Sequence, residues 1–130
     1  GIAMQITNIC RDVREDAENN RIYLPADLLP SKLSIEDFIS GNIETLKAIF
    51  STQERLLKMA DELYVTSSAG IDYLPWRMRI VVRWAAKMYR EIGTVISYNP
   101  NHFYKNRAVV NWLIKMYFLF QCLFRSLYKK

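Results

Sequence analysis

Apolar residues recur at spacings of three and four along most of the chain, and no stretch sustains the period-two alternation of a half-buried strand. Residues 1–19 lack proline and internal glycine, and Ile2, Ile6, Ile9 and Val13 mark one apolar band, which predicts a single amphipathic helix. Asn19 to Ser34, with Asn-Asn, Pro25 and Pro30, reads as a loop. Ser34 with Asp37 three positions on predicts a short capped helix ending near Gly41. A long helix is expected from Asn42 to Ala69, burying Ile43, Leu46, Ile49, Phe50, Leu56, Leu57, Ala60, Leu63 and Tyr64, with Gly70 as terminator. Pro75 suits a first helical position, Met78 to Ser97 continue as helix, and Asn99-Pro100-Asn101 reads as a turn. The last helix is expected from Arg107 to Tyr128. The class is all-α, in one domain over residues 1–130 with no internal boundary and no repeat.

Ala108 to Phe124 is apolar nearly all round, broken by Asn111, Lys115 and Gln121. A central lysine in so short a run falls short of a membrane span. Packing against another part of the domain is the first expectation, with peripheral membrane contact as the alternative.

Charge sharpens this picture. Residues 1–100 carry twelve basic and thirteen acidic side chains, whereas the last thirty carry six basic and none acidic, which accounts for the net +5. That asymmetry argues against a nucleic-acid footprint and for a basic, aromatic end near an anionic ligand or membrane surface. Cys10 and Cys122 are too few for a disulfide framework and lack the spacing of a zinc site, so a reducing, cytoplasmic setting is expected. The chain opens on Gly1 directly into a helical pattern, without initiator Met, cap or signal peptide. It reads as beginning partway through a longer protein.

One helix face carries candidate chemistry. At about 100° per residue, Gln5, Asn8, Asp12 and Asp16 fall within roughly 80° of one another, beside the apolar band. Carboxylates one turn apart repel, and a hard divalent cation with oxygen ligands offsets that repulsion. Magnesium held by one or two carboxylates and shared with phosphate oxygens is the arrangement this stripe suits. Arg11, Arg14 and Arg21 flank it, and an arginine near a phosphate and metal cluster supplies bidentate donors that stabilise a departing diphosphate. Ordinary i,i+4 pairing of Arg11 with Glu15 and of Arg14 with Glu18 is the competing reading.

The run from Gly1 through Gln5, Asn8, Arg11-Asp12 and Asp16, followed by Arg21-Ile-Tyr23-Leu-Pro25, resembles the second aspartate-rich motif of the squalene/phytoene synthase family. That pattern is Q-x-x-N-x-x-R-D-x-x-x-D then R-x-Y-L-P, and each fixed position is present. The likeness continues through Leu74-Pro75, Ala85 to Gly93 and Asn106 to Val110. It implies the C-terminal part of an isoprenoid-synthase-type helical bundle, whose first aspartate-rich motif would lie on an earlier helix. It further implies Asp12 and Asp16 as metal ligands, with Asn8 beside them and Gln5 on the same wall. Arg11, Arg21, Tyr89 and Arg107 would face diphosphate, and Tyr23 the cavity. Mg2+, or Mn2+ in its place, and prenyl diphosphates are the implied cofactor and substrates. The implied reaction is head-to-head condensation through a cyclopropyl intermediate, ending in phytoene from geranylgeranyl diphosphate. A squalene-type enzyme would instead use farnesyl diphosphate and NADPH. These residues by themselves, with one acidic motif, are expected to be inactive and to self-associate. A non-catalytic helical module at a membrane surface is the alternative of another class. Asn19-Asn20 stand where many members have glycine, a departure that touches the loop.

The remaining candidates have plainer readings. His102 is expected to be a loop residue, and Trp76, Trp84 and Trp112 to form core and cavity wall. Met59, Met78, Met88 and Met116 read as packing residues, and Cys10 as a small inert filler.

Overall fold

A computed structural model describes residues 1–29 and 32–128, with backbone alone at 103, 127 and 128. Among these residues all regular structure is helical. The α-helices are α1 (Ile2–Arg11), α2 (Val13–Glu18), α3 (Ile35–Ser40), α4 (Ile43–Ser67), α5 (Trp76–Tyr98), α6 (Pro100–Lys105) and α7 (Trp112–Tyr128). Two 3-10 turns, Ala26–Leu28 and Gly70–Tyr73, join them.

The expected first helix is split. Asp12 lies between α1 and α2 with φ −103° and ψ 14°, near the sparsely populated bridge region. Adjacent side chains do not face one another on a regular helix, yet Arg11 grips both Asp12 oxygens with Nε and one terminal nitrogen, so the pair goes with the local opening. The opening leaves carbonyls at the end of α1, and Gln53 Nε2 donates to the Cys10 oxygen at 2.7 Å from across the core.

Helix ends follow local chemistry. Ser34 and Asp37 form the full capping box of α3, and Gly41 closes it in the left-handed region at φ 59°. A Cβ at Gly41 would also stand 3.2 Å from Tyr104 Cε1. Asn42 caps α4 by accepting from the Thr45 N–H. Three boundaries differ from expectation. The long helix α4 ends at Ser67, with Ser68 Oγ donating to Val65 O, so Gly70 opens the 3-10 turn and does not terminate the helix. Pro75 precedes α5 in an extended conformation. The Asn99-Pro100-Asn101 segment starts α6, with Asn99 as cap and Pro100 at the position whose missing N–H costs nothing. His102 therefore sits in a helix, not a loop. The last helix starts at Trp112, because residues 107–110 run without helix and alternate exposed and buried, with Ala108 and Val110 inside.

The core forms where α1 lies against α4 and α5, with α2 on α3 and α7 on α5. Ile49, Leu56, Leu57, Ala60 and Tyr64 of the expected α4 stripe are buried, while Ile43, in the first turn, is 74% exposed. Thr52 and Gln53 complete the buried face as polar residues, Thr52 Oγ1 donating to Leu28 O at 3.0 Å and Gln53 bonding through Nε2 while its Oε1 lacks a partner. Trp84 is partly buried and donates to Lys115 O, but Trp76 and Trp112 are exposed, as are Met59, Met78 and Met116. They depart from the expected core because they lie on faces of α4, α5 and α7 that no described element covers. No described helix is long and apolar enough to cross a membrane.

Candidate functional site

The opening at Asp12 turns a helical stripe into a site. Arg11 Nε and a terminal nitrogen donate to the two Asp12 oxygens at 2.8 and 2.7 Å, with both side chains mostly shielded from solvent. The hydrogen bond that Arg11 donates to Asp12 raises the Arg11 pKa against the opposing effect of burial, holding the guanidinium charged. Arg107 arrives from the segment between α6 and α7, its Nε 3.2 Å from Asp12 Oδ1 and a terminal nitrogen 3.7 Å from Glu15. One carboxylate thus meets two guanidiniums from segments ninety-six positions apart in sequence. Arg11 does not take the i,i+4 pairing with Glu15, whereas Arg14 does pair with Glu18 at 2.9 Å.

Asn8 sits one turn before Asp12, half-buried, with its Oδ1 shielded and without a hydrogen-bond partner. An acceptor left bare at a polar stripe is the kind of group a cation or a donor on a ligand satisfies. Gln5, a turn further back, is exposed. Asp16 shares a small crevice with Ile22 and Tyr23, and its carbonyl accepts from the Arg21 N–H at 2.8 Å, which folds the Arg21–Pro25 run back along α2. Tyr23 and Arg21 are exposed beside it. Tyr89 lines a cleft of about 510 Å³ between α4 and α5 that also reaches Thr7 of α1. Arg11 and Arg107 therefore meet at Asp12, with Asn8 a turn before it; Asp16 and Tyr23 share the adjoining crevice, Arg21 bonds back to the Asp16 carbonyl, and Tyr89 lines a different cleft.

Two residues behind the stripe give no sequence signal of their own. Gln53 reads as an ordinary polar position of a long helix, and only the break at Asp12 explains why it is buried against Cys10. Thr7 is equally buried, its hydroxyl bonded to Ala3 O and within 3.2 Å of the Tyr64 hydroxyl. Cys10 behaves as filler: burial pushes its thiol up to about 12, so no thiolate is available for chemistry.

No group of three or more His, Cys, Asp or Glu among the described residues is arranged to hold a metal ion. The donor set fits magnesium shared with phosphate: two carboxylates a turn apart and a bare amide oxygen are hard ligands, and such ions keep phosphate and water in their shell. The electrostatics agree. Burial raises the Asp16 carboxyl above its ordinary range, the neighbouring charges of Asp12 and Glu15 raise it further, and Arg21 opposes them. A raised folded-state pKa contributes stability below the unfolded carboxylate value, near about 3.9, that is lost as pH rises through the folded value. At neutral pH ionised Asp16 thus costs stability. Asp16→Asn is expected to be more stable than the parent at pH 7 without metal, with the gap closing toward pH 4. Urea unfolding across that range checks this, and a variant no more stable at pH 7 would contradict it.

The site is therefore an aspartate stripe on the first helix pair of an all-α scaffold, with two guanidiniums meeting at Asp12. The family model described as squalene/phytoene synthase matches residues 1–113, and the chain belongs to that family. It is 40% identical to the phytoene synthase of Cereibacter sphaeroides over 102 residues, 76% of this chain and 28% of that protein. The 15-cis-phytoene synthase of Enterobacter agglomerans is 39% identical over 94 residues, 72% of this chain and 31% of that protein. With the bifunctional lycopene cyclase/phytoene synthase of Gibberella fujikuroi identity is 38% over 112 residues, 85% of this chain and 19% of that protein. The chain thus spans less than a third of the length of these relatives.

Proposed function

We propose that the protein takes part in magnesium-dependent, head-to-head condensation of two prenyl diphosphates, as a phytoene synthase acting on geranylgeranyl diphosphate. The observation that carries this reading is the convergence of Arg11 and Arg107 on Asp12, one turn from Asp16. The names of the similar proteins supply the reaction class.

In this reading Asp12 and Asp16, with Asn8 beside them, hold Mg2+. Bound there, the cation would neutralise diphosphate charge and assist its departure. Arg11 is fixed by Asp12 and presents bidentate donors where charge develops on the leaving group. Arg107 and Arg21 donate from the two flanks, and the Tyr89 hydroxyl from α5. The allylic C–O bond breaks with its electron pair leaving on diphosphate. The alkene of the second substrate then attacks the allylic carbon, and proton loss closes a cyclopropane. Departure of the second diphosphate, rearrangement and a final proton loss give the hydrocarbon. Gln5, Tyr23 and the apolar residues flanking the stripe form the wall that keeps water from the cation.

The test is product formation by the full-length protein, given labelled geranylgeranyl diphosphate with Mg2+, with Mn2+ and with chelator. Phytoene formed only with metal is expected. Product from farnesyl diphosphate that requires NADPH would move the reading to a squalene-type enzyme, and diphosphate-independent lipid binding without turnover would replace it with a membrane-surface module.

A further inference from the structure

The two guanidiniums on Asp12 are not equivalent. Arg11 belongs to the helix end itself, lies mostly shielded and meets both carboxylate oxygens with short bonds. Arg107 is 54% exposed, reaches Asp12 through one nitrogen at 3.2 Å, and shares itself with Glu15 at 3.7 Å. Its backbone is pinned by the buried side chains of Ala108 and Val110, so its position is set while its long side chain stays free to move. It stands over a polar cleft of about 380 Å³, where Arg14, Lys105 and Tyr104 also line the wall. Arg14 there is engaged by Glu18.

A divalent cation and the Arg107 guanidinium compete for the same Asp12 oxygen, since placing both positive charges on it sets them against each other. A diphosphate changes the balance, because it offers Arg107 a better anion than a carboxylate it already shares with Arg11. We propose that Arg107 exchanges partners: it covers Asp12 while no diphosphate is present and moves to diphosphate oxygens when metal and diphosphate arrive together, so that the site takes up metal with its diphosphate in preference to metal alone. This rests on the metal and diphosphate reading above and adds to it that one arginine couples the two binding events. Removing the arginine then relieves the competition for metal alone and takes one donor from metal with diphosphate, so the two affinities move in opposite directions.

The probes are Mn2+ alone and the equimolar Mn2+–pyrophosphate complex, titrated calorimetrically and by electron paramagnetic resonance into full-length protein and its Arg107→Gln and Arg14→Gln variants. Arg107→Gln is expected to bind Mn2+ alone about fivefold more tightly and Mn2+–pyrophosphate about tenfold more weakly, within the usual span of coupling between sites. Arg14→Gln removes the same charge from a residue paired elsewhere, and it should leave the affinity for Mn2+ alone within about twofold, as screened surface charges do. Equal or weaker binding of Mn2+ alone by Arg107→Gln, or the same tightening in Arg14→Gln, would overturn the exchange while leaving the metal reading intact. Absence of Mn2+ binding in every protein, with and without pyrophosphate, would overturn both. Circular dichroism on each variant confirms that a changed affinity is not a changed fold.

Discussion

Asp12→Asn is expected to lower product formation at saturating Mg2+ by about a thousandfold or more while leaving helical content unchanged, as loss of a charge from a metal and diphosphate cluster does. The substitution is nearly isosteric and keeps one acceptor, so it tests charge and not shape. In the parent, the Asp12 carboxylate meets Arg11 through both of its oxygens and Arg107 through one. An asparagine there would oppose the Arg11 guanidinium with an N–H in place of an oxygen, so the arginine would lose both its counter-charge and its fixed direction. Metal and leaving-group donors would weaken together. Stability is a separate matter, because Asp12 sits outside the regular helices at a junction already open. Steady-state turnover alongside circular dichroism and thermal unfolding checks this. A variant working within tenfold of the parent would remove Asp12 from the metal shell.

The sequence made the stripe legible because helical periodicity places Gln5, Asn8, Asp12 and Asp16 on one face whatever the rest of the fold does. Capping was equally local: Ser34 with Asp37, and Asn42 ahead of Thr45, need only their neighbours to be read, and both caps are in place. What stayed hidden is set by contacts across long sequence distances. The break at Asp12 goes with Arg107 and with the buried bond from Gln53 to Cys10, which join segments that periodicity treats as independent. The start of α7 moved from Arg107 to Trp112 for a similar reason. Ala108 and Val110 enter the core from an extended run, and two buried residues at spacing two are too short a pattern to stand against the apolar stretch that follows. Pro100 misled in the opposite direction, since the residue that breaks a helix interior is also favoured at a helix start. The exposed apolar arc of α7, from Trp112 through Met116, Phe120 and Phe124, shows that an all-round apolar helix does not say which of its faces the described core covers.

Phe38→Ala should be the most damaging single core truncation for stability, lowering it by about 3–5 kcal/mol, the usual cost of deleting a fully buried phenylalanine. A helix as short as α3, with six residues, does not persist by its own hydrogen bonds. Three tertiary and terminal features hold it: the Ser34–Asp37 cap, the left-handed Gly41 turn, and Phe38, which is 1% exposed in the cluster with Val13, Ala17 and Leu24. The Tyr104 hydroxyl adds a fourth tie by donating to the Phe38 carbonyl, so α3 also anchors α6. Removing the ring leaves a cavity under α2, the helix that carries Asp16, and frees the support on which the acidic flank rests. Typical domains have only about 5–15 kcal/mol in total, so the loss is a large part of the whole. For a chain of this size it corresponds to a melting temperature lower by roughly 10–20 °C. Phe38→Leu, which keeps most of the volume, should cost less than about 1.5 kcal/mol. Thermal and urea unfolding of the parent and both variants distinguishes them. A Phe38→Ala melting point within about 3 °C of the parent, a shift near the effect of 1 kcal/mol, would mean that α3 is held in place by something other than this side chain.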